Sequence, residues 1–579
     1  MNENLISSTT KRNWKRLGVK AVEERLSKRA NKRFSSKNII PIEYFQNKNN
    51  LSCLNEILKN VNTKDIKSVI YSIALVVLKY EGLILLKENG NYLTSNKYLR
   101  KILDSFDAEF DSKFLSIKLP NDEPDYLGIV YQSLLKEGCK NINGSYYTPT
   151  SIINNALGNL DKNSTFLDPC CGTGSFLLNA ADKIKDPNKI YGADKDEIAC
   201  FIAKINLIIK FKHQEFDPKI YNIDFLTDNK IFNKKFDIIA TNPPWGAMNK
   251  KDCKNIYPEI TSGESFAYFI VKSNKMLSEN GNAVFVLPQS ILNVATHKDI
   301  REFILKNFYI NSIVLLGRAF SGVLAKAIIL NLSKTKQQDC INIKTKTSSY
   351  SVSQEFYQSD VNYNFLVLDN EDIKILKKIY SIKYETLDKS IFAVGVVTGN
   401  NKKYISKRRN KNFEPIYTGK DIQPYFIKTA KNFIKYDRKN FQQVAQDEIY
   451  RSKEKLVYKF ISSKLVFAYD NTSSLFLNSA NILIPKLKNH DAKTALAYLN
   501  SKLFKYIYIK KFNEIKILKS ALLQLPFPEL TKKESNKIKK LVDLYLKGNS
   551  ESVLHKIEQF VYKSFKLSEK EIELIEKSI

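Results

Sequence analysis

The sequence predicts an α/β protein whose central domain holds a mainly parallel sheet. Between about residues 141 and 345, short apolar runs typical of strands alternate with helical stretches, which is the pattern of strand–helix units in a parallel sheet. Residues before 141 have helical spacing, and residues beyond about 385 form short strand-like segments broken by polar turns. At 579 residues, the chain is long enough for roughly two to four domains.

Residues 1–140 are predicted to form a helical N-terminal region. The segment IKSVIYSIALVVLKYEGLILLKE, residues 66–88, has apolar residues at helical spacing, and DYLGIVYQSLLKEG repeats this pattern up to Gly138. The acids and Lys113 of FDAEFDSKF, residues 106–114, are interpreted as a solvent-facing charge cluster, because no strand with the spacing of a metal-dependent nuclease accompanies them. We therefore expect no DNA-cleaving activity in this chain.

Residues 141–345 are predicted to form the central α/β domain. STFLDPCCGTGSF leads into the helical LLNAADKI, KIYGAD leads into KDEIACFIAKINLIIK, and FDIIATNPPW and GNAVFVLPQSIL follow. Residues 346–385 are interpreted as a connector. Residues 386–579 are predicted to form a mixed α/β domain with a C-terminal helical tail, with strands in IFAVGVVTG, KLVYKF, KLVFAYD and NILIPKL and one helix in TALAYLNSKLFKYIYIKKF.

The composition narrows the class of protein. No apolar run approaches the ~18 residues of a membrane span, and the basic start lacks the apolar core of a signal peptide. Seven scattered cysteines and four histidines show no metal-ligand spacing, so no metal is expected, and a reducing bacterial cytoplasm fits best.

The net charge of +32 is the strongest compositional signal. Codon bias of an AT-rich genome contributes lysines, but it would raise Glu and Asp as well. Residues 401–470 contain 17 Lys and Arg against 7 Asp and Glu, interleaved with Tyr and Phe. Basic residues mixed with aromatic ones favour a nucleic-acid partner.

A glycine-rich turn, LDPCCGTGSF, follows the first predicted strand and opens a helix. Gly172 and Gly174 would let the backbone turn tightly and approach a ligand, at the carboxyl end of a strand where open α/β sheets bind ligands. The turn lacks the P-loop pattern and the full dinucleotide pattern. By itself it is equally compatible with a plain structural turn.

Two acids strengthen the ligand-binding interpretation. Asp194 ends the next predicted strand about 20 residues on, where a carboxylate can accept hydrogen bonds from ribose hydroxyls. Asp224 and Phe225 end another strand, where a carboxylate can accept from an adenine amino group and a ring can stack on the purine. Taken alone, Asp224 is a helix cap or a surface acid. The series predicts a site for adenosine without a phosphate requirement.

LDPCCGTGSF, YGAD, NIDFL and ATNPPWG occur in the order that resembles S-adenosylmethionine-dependent DNA amino-methyltransferases of the gamma type. This group includes TaqI-like adenine-N6 enzymes and modification subunits of type I restriction systems. GSYYTPTSIINNAL resembles the segment that holds the methionine end of the cofactor, and GRAFSGVLAKAIIL resembles the one that places an aromatic ring, here Phe320, beside the target base. The likeness covers about residues 120–345, and a looser one to the TaqI-like specificity domain covers about 385–530. It implies a Rossmann-like methyltransferase domain and a target-recognition domain, with S-adenosyl-L-methionine held by residues Thr148, Asp168, Cys170, Gly172, Gly174, Asp194, Asp224 and Phe225.

The segment NPPW, residues 242–245, suits transfer of a methyl group to an exocyclic amino nitrogen. Two acceptors, the Asn242 side-chain oxygen and the Pro243 carbonyl, can grip both amino hydrogens and free the nitrogen lone pair. Pro243 and Pro244 stiffen the loop, so that the acceptors are preorganised. Trp245 offers a face on which an extruded base can stack, although the family more often has Tyr or Phe there. The alternative is a purely structural role, in which the two prolines form a turn and Trp245 packs in the core.

The predicted function is site-specific, adenine-specific DNA methylation, with double-stranded DNA as partner and a cognate nuclease acting separately in a restriction-modification system. The leading Asn favours adenine N6 over cytosine N4. Methylation of RNA or of a protein glutamine amide uses a similar loop and stays an alternative, as does a binding module without chemistry. Contacts to phosphates or base edges are expected from Lys402, Lys403, Lys407, Arg408 and Arg409.

Overall fold

The structure is a computed structural model of the full chain. Two compact units are described, residues 45–365 and residues 366–579, and no helix among the described residues is long and apolar enough to cross a membrane. Several predictions fall outside the described residues: the basic start, Gly144–Tyr147 of the cofactor segment, residues 247–249 after the NPPW loop and residues 321–324 after Phe320. The structure describes residues 45, 47, 50–61, 65–120, 123–135, 148–158, 160–228, 233–246, 251–320, 325–358, 362–512 and 516–579.

The two segments before residue 140 that were predicted as helical do contain helices, with one correction, and the predicted stop at Gly138 lies outside the described residues. The helix predicted over residues 66–88 ends at Tyr80, because Gly82 adopts a φ of 71° and the chain turns into a short hairpin that pairs Leu85 with Leu93. The helices are α1 (Leu51–Asn60), α2 (Ile66–Tyr80), α3 (Lys97–Asp104), α4 (Tyr126–Leu134), α5 (Thr150–Leu157), α6 (Ser175–Ala181), α7 (Glu197–Lys210), α8 (Lys251–Ile256), α9 (Ser265–Met276), α10 (Lys298–Asn307) and α11 (Gln354–Gln358).

A nine-stranded sheet forms the centre of the first unit, and most of its strand pairs are parallel, as predicted. In the order β11-β10-β8-β9-β7-β6-β3-β4-β5, antiparallel pairing occurs at β9 and between β10 and β11. The strands of this unit, the hairpin included, are β1 (Leu85–Leu86), β2 (Tyr92–Leu93), β3 (Phe166–Asp168), β4 (Ile190–Asp194), β5 (Lys219–Asn222), β6 (Phe236–Thr241), β7 (Leu277–Pro288), β8 (Tyr309–Gly317), β9 (Ala327–Ser333), β10 (Cys340–Lys344) and β11 (Ser349–Ser353).

Strand order places the predicted motifs together. β6, β3, β4 and β5 are consecutive parallel neighbours, so their carboxyl ends share one edge of the sheet. The glycine turn follows β3, Asp194 ends β4, and Asn242 follows β6. All residues of β3 are buried, as a strand covered on both faces requires.

The second unit contains the four predicted strands of its main sheet, which run in the order β13 (Ile391–Val394), β20 (Ala480–Ile484), β17 (Lys455–Lys459) and β18 (Phe467–Asp470). The single helix predicted over residues 494–512 is two helices, because Ser501 has extended backbone (ψ 154°) and its hydroxyl caps the second helix at Phe504. The helices are α12 (Asn370–Ser381), α13 (Asn401–Tyr404), α14 (Asp447–Tyr450), α15 (Ala492–Asn500), α16 (Lys502–Lys511), α17 (Lys519–Leu522), α18 (Lys532–Gly548), α19 (Glu551–Ser564) and α20 (Glu569–Lys577).

A second four-stranded sheet of this unit, β14-β16-β15-β19, carries the basic segment at one edge. The predicted domain limits at 140, 345 and 385 stay predictions, although β11 lies beyond residue 345 and still belongs to the nine-stranded sheet. The strands of the second unit are β12 (Tyr384–Glu385), β13 (Ile391–Val394), β14 (Ile405–Ser406), β15 (Glu414–Tyr417), β16 (Phe433–Ile434), β17 (Lys455–Lys459), β18 (Phe467–Asp470), β19 (Leu475–Phe476), β20 (Ala480–Ile484) and β21 (Phe527–Pro528).

Candidate functional site

The glycine turn and the acid at the end of β4 are joined by a direct hydrogen bond. The Gly172 N–H donates to Asp194 Oδ2 at 2.9 Å, and Gly172 and Gly174 have φ values of 52° and 99°. Side-chain-bearing residues rarely adopt these angles. The other carboxylate oxygen of Asp194 accepts from the Asp196 N–H at 3.0 Å. Burial raises the pKa of Asp194 above its ordinary value.

Asp224 and Phe225 form a wall of the same site. Asp224 Oδ1 accepts from the Leu226 N–H at 3.2 Å. The Phe225 ring is 2% exposed and lies nearly parallel to Phe269, with centroids 5.6 Å apart. The Lys272 ammonium lies 4.8 Å from the Phe225 ring centroid and donates to the Phe225 carbonyl, and burial lowers its pKa to about 8.

Asp168 and Cys170 connect the glycine turn to the NPPW loop. Asp168 is buried and accepts from the Cys170 N–H at 3.1 Å, and burial raises its pKa to about 7. The Cys170 thiol lies 2.9 Å from Thr241 Oγ1 and 3.5 Å from the Asn242 carbonyl oxygen. The two loops therefore share hydrogen bonds at the carboxyl ends of β3 and β6.

Asn242 is held by the residue predicted to bind the cofactor. Its Nδ2 donates to Thr148 Oγ1 at 3.0 Å. Its Oδ1 is buried and has no hydrogen-bond partner among the described residues. The Pro244 carbonyl accepts from the Ser265 hydroxyl, and the Ser265 N–H donates to the Gly246 carbonyl at 3.0 Å. The loop is therefore anchored on both sides of an acceptor that has no partner from the described chain.

Trp245 and Phe320 pack against each other. Their ring centroids are 5.3 Å apart and their planes are at 90°, an edge-to-face contact. The Trp245 indole N–H donates to the Val286 carbonyl at 3.3 Å, and Phe320 is 5% exposed. The sequence predicted both residues at the target base, and the structure brings them together.

One open cavity unites most of the predicted cofactor and catalytic residues. Gly174, Pro243, Trp245 and Phe320 are outside its lining. The predicted residues that line it are Thr148, Asp168, Cys170, Gly172, Asp194, Asp224, Phe225, Asn242 and Pro244.

Asp125, on the buried start of α4, is a site residue that the sequence reasoning missed. Its carboxylate accepts from the hydroxyls of Thr173 at 2.8 Å and Ser175 at 3.0 Å, and from Asn206 Nδ2 at 2.7 Å. It also caps α4 at the Gly128 N–H. The sequence Asp-x-x-Gly before a helical pattern is a capping signal, but the contact with the glycine turn depends on tertiary structure.

The predicted DNA-contacting residues lie apart from the cavity residues in sequence, within the second unit. Lys402, Lys403, Lys407, Arg408 and Arg409 are all exposed. Lys407 donates to Asn432 Oδ1 at 2.8 Å. Among residues 362–512, which are described without a gap, none of the five forms an ion pair. They form an exposed basic stretch whose charges no carboxylate of that range neutralises.

The nine-stranded sheet, the glycine turn, the acid at the end of β4 and the Asn-Pro-Pro loop define a Rossmann-like methyltransferase domain. The family model for N-6 DNA methylases matches residues 122–412, which is half of the 579-residue chain, and the chain belongs to this family. The TaqI-like C-terminal specificity domain matches residues 414–528.

Individual relatives agree with this assignment. The type II methyltransferase M.VspI of Vibrio sp. (strain 343) is 34% identical over 313 residues, which are 52% of this chain and 75% of that protein. The type I restriction enzyme MjaVII methylase subunit of Methanocaldococcus jannaschii is 27% identical over 288 residues, 44% of this chain and 48% of that subunit. The chain therefore spans about half the length of that subunit.

Among solved structures, the type IIL restriction-modification enzyme MmeI in complex with DNA is similar in fold, with a TM-score of 0.60. The identity is 14%, and the match covers 92% of this chain and 93% of that one. The protein is thus an adenine-specific DNA methyltransferase with a C-terminal specificity domain. The predictions of fold class, family and enzyme class are confirmed.

Proposed function

We propose that the cavity binds S-adenosyl-L-methionine and that Asn242 and Pro243 accept the two amino hydrogens of a flipped-out adenine. The observation that carries the proposal is the Asn242 side chain. Its amide nitrogen is occupied by Thr148, whereas its buried amide oxygen has no partner among the described residues. A buried acceptor without a donor costs free energy, on the order of 1–3 kcal/mol, and a substrate amino group would remove that cost.

The lining of the cavity suits this cofactor. Asp194 presents a carboxylate beside the Gly172 turn, where ribose hydroxyls can donate, and Phe225 with Phe269 supplies an apolar wall for a purine. A sulfonium cation in the cavity would favour the ionised forms of the buried Asp168 and Asp194 carboxyls, whose negative charges would then offset it. When bound, S-adenosyl-L-methionine supplies an electrophilic methyl group.

The role of the NPPW loop is to bind and orient the acceptor amine. Adenine N6 is a poor nucleophile because its lone pair is delocalised into the ring. Two acceptors at Asn242 Oδ1 and the Pro243 carbonyl would bind the N–H groups and draw the nitrogen toward tetrahedral geometry. Since the loop is anchored at Thr148 and Ser265, the acceptors need no rearrangement during the reaction.

Trp245 and Phe320 would support the extruded base. Base extrusion costs a few kcal/mol, and an aromatic stacking contact is worth roughly 1–3 kcal/mol. The edge of one ring rests on the face of the other, and the Val286 carbonyl fixes the indole nitrogen. The aromatic surface is therefore preformed rather than assembled on binding.

Recognition of double-stranded DNA is assigned to the second unit. The specificity-domain match supports this, as do the exposed cations Lys402, Lys403, Lys407, Arg408 and Arg409. Such cations contact phosphates without reading sequence. The relatives named as type II methyltransferases and type I methylase subunits support a role as the modification enzyme of a restriction-modification system. Its cognate nuclease would act separately, in a bacterial cytoplasm.

The experiment compares Asn242→Ala with Asn307→Ala, an exposed asparagine at the end of α10. Methyl incorporation from labelled cofactor into DNA is expected to fall by about 10²–10³-fold in Asn242→Ala and to stay unchanged in the control. Cofactor affinity by calorimetry should be similar in both. Near-wild-type methylation by Asn242→Ala would overturn the proposed role, and preference for RNA or a glutamine-containing peptide over DNA would reassign the substrate.

A further inference from the structure

Two loops of the second unit lie side by side at one edge of the β14-β16-β15-β19 sheet. β15 and β19 are parallel neighbours, with Ile416 opposite Leu475 and Tyr417 opposite Phe476. The segments that precede β15 and β19 therefore lie next to each other, at the amino ends of the two strands. We name residues 407–413 the basic turn and residues 471–474 the polar loop.

Arg451 ties the two segments together. Its guanidinium makes two hydrogen bonds of 2.7 Å to the Glu414 carboxylate, next to the basic turn, and one of 3.2 Å to the Ser473 carbonyl in the polar loop. A two-pronged arginine–carboxylate contact is directional. The spacing between the two segments is therefore fixed by a planar group and not only by the strand pairing.

A buried ion pair lies directly next to the polar loop and stabilises it. Asp470 and Lys455 lie 2.6 Å apart, and their side chains are 1% and 0% exposed. The Asp470 carboxylate also accepts from the N–H groups of Thr472 and Ser474, both at 3.0 Å. Breaking a buried pair is costly, so the pair holds the loop in one conformation, including Ser473 at a φ of 54°.

The two segments differ in chemistry. The basic turn presents Arg408, Arg409 and Lys411, all exposed and without an ion pair in the range 362–512. The polar loop carries no charge, and its first residue, Asn471, is exposed with no hydrogen bond to its side chain from the described residues. Cationic side chains bind phosphates irrespective of the base sequence. An asparagine amide can instead both donate a hydrogen bond to and accept one from the major-groove edge of adenine.

We propose that Asn471 is a specificity-determining residue that reads an adenine of the recognition sequence in the major groove, while the basic turn holds the adjacent phosphates. This inference rests on the proposed DNA-methylating function and adds to it the residue that selects the target. A rigid loop is required for this task, because a side chain on a mobile loop could satisfy several base pairs equally well.

The test is the methylated sequence itself. Wild type, Asn471→Ala and the control Asn536→Ala, an exposed asparagine of α18 outside the specificity-domain match, are expressed separately in cells. The methylated motif of each is then read by long-read sequencing. In Asn471→Ala, discrimination at one A·T position of the motif is expected to fall about tenfold or more, while the other positions stay unchanged. Asn536→Ala should reproduce the wild-type motif.

A second variant distinguishes recognition of the base sequence from binding of the phosphates. Arg408→Ala/Arg409→Ala is expected to weaken binding to all DNA sequences and to reduce the salt dependence of the affinity by about two charges, with the motif unchanged. If Asn471→Ala loses methylation altogether, unchanged cofactor affinity and unchanged binding to random-sequence DNA would support the proposal, since only the specific contact is then missing. Loss of that general binding as well would count against it.

An Asn471→Ala enzyme that methylates the wild-type motif with wild-type selectivity would overturn the assignment of Asn471 while leaving the methyltransferase function intact. Failure of the wild-type chain to methylate any DNA would instead remove the proposed function and this inference together. The two failures are therefore distinguishable in one set of sequencing data.

Discussion

The side-chain amide of Asn242 donates a 3.0 Å hydrogen bond to the hydroxyl of Thr148 across 94 positions of sequence. The two residues come from different parts of the predicted site, one from the acceptor loop and one from the cofactor segment. Because the bond uses the amide nitrogen, the amide oxygen, which has no partner among the described residues, remains available as an acceptor. We therefore expect Thr148 to act on the substrate amino group through Asn242.

Replacing Thr148 tests this coupling. Thr148→Val keeps the side-chain shape but leaves Asn242 Nδ2 without its acceptor, so the amide can rotate. We expect kcat for DNA methylation to fall roughly fivefold, in line with the ~1 kcal/mol of a typical hydrogen bond. Thr148→Ser, which keeps the hydroxyl, should retain most activity. Equal kcat values for the valine and serine variants would show that the bond does not orient Asn242.

The tryptophan of the NPPW loop is expected to serve as an aromatic face and not as a hydrogen-bond donor to substrate, because its indole N–H already donates to Val286. Trp245→Phe should therefore methylate DNA within a few-fold of wild type. Trp245→Ala should lose roughly 10- to 100-fold in kcat/KM, corresponding to about 1–3 kcal/mol of stacking. Single-turnover methylation of duplex DNA measures both, and a phenylalanine variant as impaired as the alanine variant would contradict the stacking role.

Asp125 is expected to hold the glycine turn in its ligand-binding shape. Asp125→Asn keeps the size of the side chain but weakens its bonds to Thr173, Ser175 and Asn206. Hydrogen bonds to a charged group are worth ~1.5–3 kcal/mol, so cofactor affinity measured by calorimetry should fall about tenfold or more. The control is Asp111→Asn, a partly exposed helix-capping residue that accepts from the Lys113 N–H. An Asp125→Asn variant with a lower melting temperature and unchanged cofactor affinity would restrict Asp125 to stability.

The pKa of Asp168, raised by burial to about 7 from 3.8, predicts a pH-dependent stability. The native carboxyl keeps its proton up to about pH 7, whereas the unfolded one loses it near pH 4. The contribution of Asp168 to stability is thus fully present below about pH 4 and is lost as the pH rises to about 7, at a cost of about 4 kcal/mol.

Asp168→Asn has no such proton to lose. Melting temperatures of wild type and Asp168→Asn are measured by calorimetry at pH 5, 6, 7 and 8. The melting temperature of wild type should fall relative to that of Asp168→Asn as the pH rises to about 7, and the difference should then stay constant. Parallel curves over this range would mean that the carboxyl titrates normally in the folded protein.

Local patterns in the sequence determined the parts of the site. A glycine turn after an apolar strand predicted a tight turn, and Gly172 and Gly174 do have the positive φ values that such a turn needs. Residues placed just after strands, such as Asp194 and Asn242, were predicted correctly at one sheet edge, because parallel strands share their carboxyl ends. Local patterns were less reliable where one polar residue redirects the chain, as at Ser501, which divides the predicted helix.

Only the tertiary structure decided how these parts touch. The contact of Trp245 with Phe320 and the hydrogen bond between Cys170 and Thr241 depend on which strands are neighbours in the sheet. The carboxylate of Asp125 accepts a hydrogen bond from Thr173 because the start of α4 lies against the glycine turn. The physical reason is range. Backbone preference and hydrophobic periodicity act over a few residues, whereas a 3 Å hydrogen bond between residues 48 or 94 positions apart exists only once the core has set their separation.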